Sequence, residues 1–139
     1  RIEREEWEEG SVERNLNREG LLVSEAYFSS RGELLREISY REGVRIRERE
    51  YRYEDDKLIE SVIRDPAGLE RRRFLYDEQA NLVREELLVN RRLVRRISYR
   101  EGSRIEEFFR RGELILRREY AGDELLQEEL IGEERFDEP

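Results

Sequence analysis

Histidine, cysteine and methionine are all absent from this chain, and the first two absences remove most familiar catalytic chemistry. Disulfides, thiolate or imidazole metal ligands and nucleophile–imidazole pairs are excluded outright. Alanine occurs at only four positions, 26, 67, 80 and 121, so the abundant Arg, Glu and Leu lack the residue that most favours helix. Lysine occurs once, as Lys57, and proline only as Pro66 and Pro139. No apolar run approaches the roughly 18 residues a membrane helix requires, so membrane insertion is not expected. The chain starts at Arg1 without a targeting segment, and the expectation is a single domain over residues 1–139 cut from a larger protein.

What is present is charge, 46% of 139 residues, almost all of it Arg against Glu, with a net charge of −8. That balance argues against nucleic acid or an anionic membrane as the main partner, because both reward a basic surface. A disordered chain would be poor in aromatic and β-branched residues. Here aromatics make up 9% and Val and Ile recur throughout, which predicts a folded chain with a thin core.

Turn formers recur about every eleven residues. Glycines stand at Gly10, Gly20, Gly32 and Gly43, and again at Gly102, Gly112, Gly122 and Gly132. Between them the rhythm passes through Asp55-Asp56-Lys57, Asp65-Pro66-Ala67-Gly68, Asp77 to Asn81, and Asn90. Gly, Asn and Asp tolerate the backbone of tight turns, and Asp-Pro-Ala-Gly has the layout of a type I turn. Around the turns runs one phrase, an aromatic, a short polar turn, then Leu or Ile, as in Tyr53…Leu58, Tyr76…Leu82 and Phe109…Leu114. Ile38-Ser39-Tyr40-Arg41-Glu42-Gly43 recurs as Ile97-Ser98-Tyr99-Arg100-Glu101-Gly102. The pattern predicts an all-β antiparallel meander of about 10–12 short strands. An amphipathic helix over residues 82–97 or 1–9 is the competing pattern.

Alternation within the strands assigns faces. Leu34, Arg36, Ile38 and Tyr40 are expected on one face, and Leu114, Leu116, Arg118 and Tyr120 on one face. Arg and Glu fill the strand middles, which a sheet buried on both sides could not accept, so Arg–Glu pairs should run along a wet surface. An elongated, twisted single sheet is the expectation, with curling of such a sheet left open.

The stretches Tyr51-Arg52-Tyr53-Glu54-Asp55-Asp56-Lys57-Leu58 and Phe74-Leu75-Tyr76-Asp77-Glu78-Gln79-Ala80-Asn81-Leu82 resemble YD repeats of the RHS type. Tyr99-Arg100-Glu101-Gly102 and Arg111-Gly112-Glu113-Leu114 are similar to MORN-variant repeats. The resemblance spans about residues 26–131. It implies a scaffold or spacer of a bacterial surface, periplasmic or secreted protein, located in the cell envelope or outside the cell.

No chemical site stands out. Thirty glutamates offer many accidental carboxylate pairs, and solvated Glu paired with Arg is the simpler account of them. Asp55-Asp56 and Asp77-Glu78 lack the alternating acidic spacing of a calcium loop. No cofactor, metal or catalytic residue is assigned, and the chain is not expected to be an enzyme. The expected role is a non-catalytic structural scaffold or protein-interaction module, contacting a protein partner or neighbouring repeats of the same chain. Edge-to-edge self-association is also open to such a sheet. The alternative role is a polyanion- or glycan-binding module using Arg91, Arg92, Arg95 and Arg96, a run with no acid between Glu86 and Glu101. Trp7, Phe108 and Phe109 are the large apolar candidates for partner contact.

Overall fold

The computed structural model describes residues 1–131. Twelve strands follow one another: β1 (Ile2–Trp7), β2 (Gly10–Leu16), β3 (Leu22–Ser29), β4 (Leu34–Arg41), β5 (Val44–Glu54), β6 (Lys57–Arg64), β7 (Glu70–Tyr76), β8 (Leu82–Val89), β9 (Arg92–Arg100), β10 (Ser103–Arg110), β11 (Glu113–Ala121) and β12 (Glu124–Leu130). All belong to one antiparallel sheet in sequence order, and β1 does not meet β12, so the sheet is open. It is neither closed nor strongly curled. Residues 82–97 and 1–9 hold strands and turns, and the helical pattern there has no counterpart. The predicted turn at Gly132 lies outside the described residues.

Two turn chemistries make eight of the eleven connections between the described strands. Glu42-Gly43, Asp55-Asp56, Asn90-Arg91 and Arg111-Gly112 are two-residue turns with both residues at positive φ, which matches the right-handed twist of the flanking strands. Four longer turns begin at Asn17, Ser29, Asp65 and Asp77, whose carbonyls accept from the amides of Gly20, Gly32, Gly68 and Ala80 at 2.9–3.1 Å. In three of them the starting side chain also accepts from amides two and four residues on, through Asn17 Oδ1, Ser29 Oγ and Asp77 Oδ1. These bonds hold Asp77 below the ordinary carboxylate range, above all the one from the Asn81 amide.

The aromatic and the aliphatic residue of the recurring phrase face each other across the turn, as Tyr53 with Leu58, Tyr76 with Leu82 and Phe109 with Leu114, and in these hairpins a bulge follows the aliphatic residue. At eight hairpins the register slips by one residue, leaving Val23, Leu35, Ile46, Ile59, Val83, Val94, Ile115 and Leu126 as the unpaired bulge residues. Each bulge is aliphatic, and each bulge adds right-handed twist. The same slips correct two of the expected faces. Leu114 pairs with Phe109 and Leu116 with Phe108, so the two leucines lie on opposite faces. Leu34 pairs with Phe28, while Arg36 pairs with Tyr27, so Leu34 leaves the face of Arg36, Ile38 and Tyr40.

The core is correspondingly thin. Val12, Ile38, Val62, Ile97 and Ile105 are the buried apolar residues among those described, and all five are β-branched. Val12, Ile38, Val62 and Ile105 lie on one face and Ile97 on the other, by the pairing registers. Among the described residues no second layer covers either face. The stems of Arg, Glu and Tyr on neighbouring strands do so instead, with their polar ends in water. The accessible surface of 10335 Å² compares with roughly 7,700 Å² for a compact monomer of this mass. On the first face a row of alternating charge crosses six strands in register, Arg73–Glu86–Arg96–Glu107–Arg117–Glu129.

Candidate functional site

The arginines of the 91–96 run do not all lie on one face: Arg92 and Arg95 share one, and Arg96 takes the other. Arg91 occupies the β8–β9 turn and Arg92 opens β9. Arg95 and Arg96, adjacent in one strand, point to opposite faces. Arg95 pairs with Glu106 at 3.1 Å and Arg96 with Glu107 at 3.0 Å. The two phenylalanines follow the same division. Phe108 lies under the guanidinium groups of Arg95 and Arg118, and Phe109 under that of Arg96. Trp7 ends the edge strand β1, is 46% exposed, and borders an open concavity with Arg4, Glu6, Glu8 and Phe28. Arg4 there is already neutralised by Glu6 and Glu13, each at 2.9 Å. The structure therefore does not gather Trp7, Arg91, Arg92, Arg95, Arg96, Phe108 and Phe109 into one site. Asp55-Asp56 and Asp77-Glu78 are turn residues.

A recurring tyrosine contact is what the sequence reading missed. Tyr40, Tyr51 and Tyr99 each donate their hydroxyl to a glutamate on the preceding strand, respectively Glu25, Glu37 and Glu85. In each case the glutamate pairs with the residue two before the tyrosine: Glu25 with Ile38, Glu37 with Arg49, Glu85 with Ile97. Tyr76 repeats the geometry with Ser61, which pairs with Phe74, at 3.1 Å. The signal was a tyrosine 14 or 15 residues after a Glu or Ser with a turn between. Burial, then the hydrogen bond to Glu85, pushes the Tyr99 phenol up to about 12, and the same two causes raise Tyr51 with Glu37.

Arg49 stands where this device leaves a gap. Its cross-strand neighbour is Glu37, whose carboxylate receives the Tyr51 hydroxyl. The Arg49 guanidinium instead donates through Nη2 to Ser61 Oγ at 3.1 Å and Tyr76 Oη at 3.4 Å, and lies over the rings of Tyr51 and Phe74 at 5.2 and 5.3 Å. Among the described residues no carboxylate comes within ion-pair distance of it, and its Nε is buried without a hydrogen-bond partner. Two residues earlier on the same face, Arg47 is exposed and has no ion pair or hydrogen bond among the described residues. Glu37, Ser39, Arg47, Arg49 and Ile63 together line a concavity of ≈ 240 Å³.

No curated protein matches this chain. The likeness to YD and MORN-variant repeats is corrected by the family comparison, which points elsewhere. The shared phrase of aromatic, turn and aliphatic describes a cross-strand pair on either side of a tight turn, as Tyr53 with Leu58 and Tyr76 with Leu82, which any meander of this kind can contain. Asn17 and Ser29 cap their turns as Asp77 does, without a preceding tyrosine. Over residues 2–124, from β1 to the start of β12, the chain matches the model of a family described as "Uncharacterised protein", and it belongs to that family.

Proposed function

We propose that the chain is a non-catalytic structural scaffold and protein-interaction module, a stiff strip that presents two wet faces along its length. One observation carries this reading: twelve strands lie in a single open layer, with side chains rather than a second layer over the buried residues. Such a layer offers extended surface and shallow concavities, which suits contact with another protein better than enclosure of a small substrate. The chemistry present fits that role, since Arg, Glu and Tyr are largely committed to one another across strands. Because Arg96 lies on the face opposite Arg92 and Arg95, the polyanion alternative has no face common to the whole run. A cell-envelope or secreted location rested on the resemblance and loses its support with it.

Small-angle scattering on the monomer tests the proposal. A compact globule of this length has a radius of gyration near ~14 Å, and the strip should exceed that by several ångströms. A value at the compact figure would remove the physical basis of the scaffold reading.

A further inference from the structure

We infer that the concavity between β4, β5 and β6, bounded by Arg47 and Arg49, is a binding site for a carboxylate. Among the described residues, eight of the ten half-buried arginines, Arg14, Arg36, Arg64, Arg73, Arg95, Arg96, Arg104 and Arg118, are matched by a glutamate within ion-pair distance. Arg117 lies in register between Glu107 and Glu129. Arg49 has Glu37 opposite it, but among the described residues no carboxylate lies within ion-pair distance of its guanidinium, which turns instead to Ser61 and Tyr76. Stacking on Tyr51 and Phe74, with hydrogen bonds to Ser61 and Tyr76, fixes the guanidinium plane without neutralising it. Among the described residues neither donor of Nη1 has a hydrogen-bond partner.

A planar fork held in place and short of an acceptor is suited to bidentate recognition of a carboxylate. Arg47 adds a second free guanidinium on the same wall, and Ser39, its cross-strand neighbour, adds a hydroxyl. Ile63 supplies an apolar floor. Two guanidinium groups against the one carboxylate of Glu37 leave a net charge of about +1, which suits a monoanionic carboxylate better than a phosphate dianion. The site does not depend on the scaffold reading, although an acidic side chain on a protein partner is one source of the ligand.

The test is a titration of the whole chain, followed by nuclear magnetic resonance of the Ser39 and Ile63 amides and the Arg49 Nε–H, at constant ionic strength. The probes are acetate, a capped tri-glutamate peptide and inorganic phosphate. Saturable shifts at these signals with acetate or the peptide, at a Kd of about 1 mM or tighter, are expected. Binding should weaken by at least about tenfold in Arg47→Gln and in Arg49→Lys, since both remove charge-assisted donors, and be unchanged in Arg92→Gln. Arg47 is exposed, so its replacement leaves the fold intact and keeps the test valid if the Arg49 variant unfolds. A response to acetate identifies a free carboxylate as sufficient; a response to the peptide alone identifies an acidic chain as the ligand. Absence of saturation, stronger binding of phosphate, or equal weakening by Arg92→Gln would overturn the assignment.

Discussion

The Tyr40 hydroxyl on β4 donates to the Glu25 carboxylate on β3 across 2.5 Å. Its counterpart in the second copy of the hexapeptide, Tyr99, does the same to Glu85 at 3.0 Å. The two copies nevertheless present their tyrosines to opposite faces, as the pairing registers between β4 and β9 require. In a two-layer protein a change of face would carry core residues into water. Here both faces are wet and both are lined by Arg, Glu and Tyr, so the same phrase works on either.

Glu25 is 8% exposed and has three donors, Tyr40, Arg14 and Tyr27. Tyr40→Phe should therefore cost about 1–3 kcal/mol, the penalty for leaving a buried acceptor short of a partner. Equilibrium urea unfolding measures it. A loss below a few tenths of a kcal/mol would mean that solvent replaces the hydroxyl.

Acid should act on the same group. Burial pushes the Glu25 carboxyl up, but the hydrogen bonds from Tyr40, Arg14 and Tyr27 outweigh it and hold it below its ordinary value of 4.5. A depressed folded value means that its stabilisation is complete above pH 4.5 and lost as pH falls below it. Tyr40→Phe weakens the depression, so the variant's stability should decline less steeply on acidification than the parent's. Unfolding midpoints measured down the acid limb give the comparison, and equal slopes would exclude Glu25 as a contributor.

Alkali acts with the opposite sign. The Tyr99 phenol is raised from 10.0 to about 12 by burial and then by Glu85. Its stabilisation is thus intact below pH 10 and lost between about 10 and 12, as the unfolded chain releases the proton first. Ultraviolet titration of tyrosinate should show a late fraction in the folded protein that Tyr99→Phe diminishes. Full ionisation of every tyrosine near pH 10 in the folded state would contradict this.

Strand and turn positions were legible in the sequence because their chemistry is local. Asp77 and Asn90 mark their turns without reference to any other strand. Faces were less legible, because a bulge at Leu35 or Ile115 reverses the alternation and nothing in the binary pattern distinguishes a paired aliphatic from an unpaired one. The 91–96 arginines looked like a patch only in one dimension; pleating sends Arg95 and Arg96 apart. The Arg49 cluster was invisible for the converse reason. It joins Glu37, Ser61 and Tyr76, residues separated by 12 to 27 positions from Arg49, and only the registers of β4 to β7 bring them together.

Two glycine-related substitutions should move stability in opposite directions. A Cβ on Gly10 would meet the Phe28 carbonyl oxygen at 2.1 Å, backbone that cannot step aside without moving β3. Gly10→Ala should cost about 1–3 kcal/mol, as overpacking does. Ala80 holds φ +63 at the turn position where Gly20, Gly32 and Gly68 stand in the equivalent turns. Ala80→Gly relieves a left-handed residue and should stabilise by about 0.5–1 kcal/mol, the strain exceeding the added chain entropy of glycine. Thermal unfolding of both variants beside the parent decides it, and a stabilising Gly10→Ala would mean that β2 and β3 separate easily.

The last expectation concerns how the sheet comes apart. Substantial contacts join only consecutive strands, so the sheet behaves as a line of hairpins rather than around one shared core. Stability in such a line is a sum of local terms and nearest-neighbour terms, and an end strand has one neighbour where an interior strand has two. Strand β1 is exposed throughout, whereas β4, β6 and β9 each bury an Ile or Val. Backbone amides of β1 should therefore exchange with solvent well before those around Ile38, Val62 and Ile97, with protection falling toward the β1 edge. Hydrogen exchange resolved by peptide or by residue reads this gradient directly. Uniform protection from β1 to β9 would instead mark a single cooperative unit, and the nearest-neighbour account of this sheet would fail.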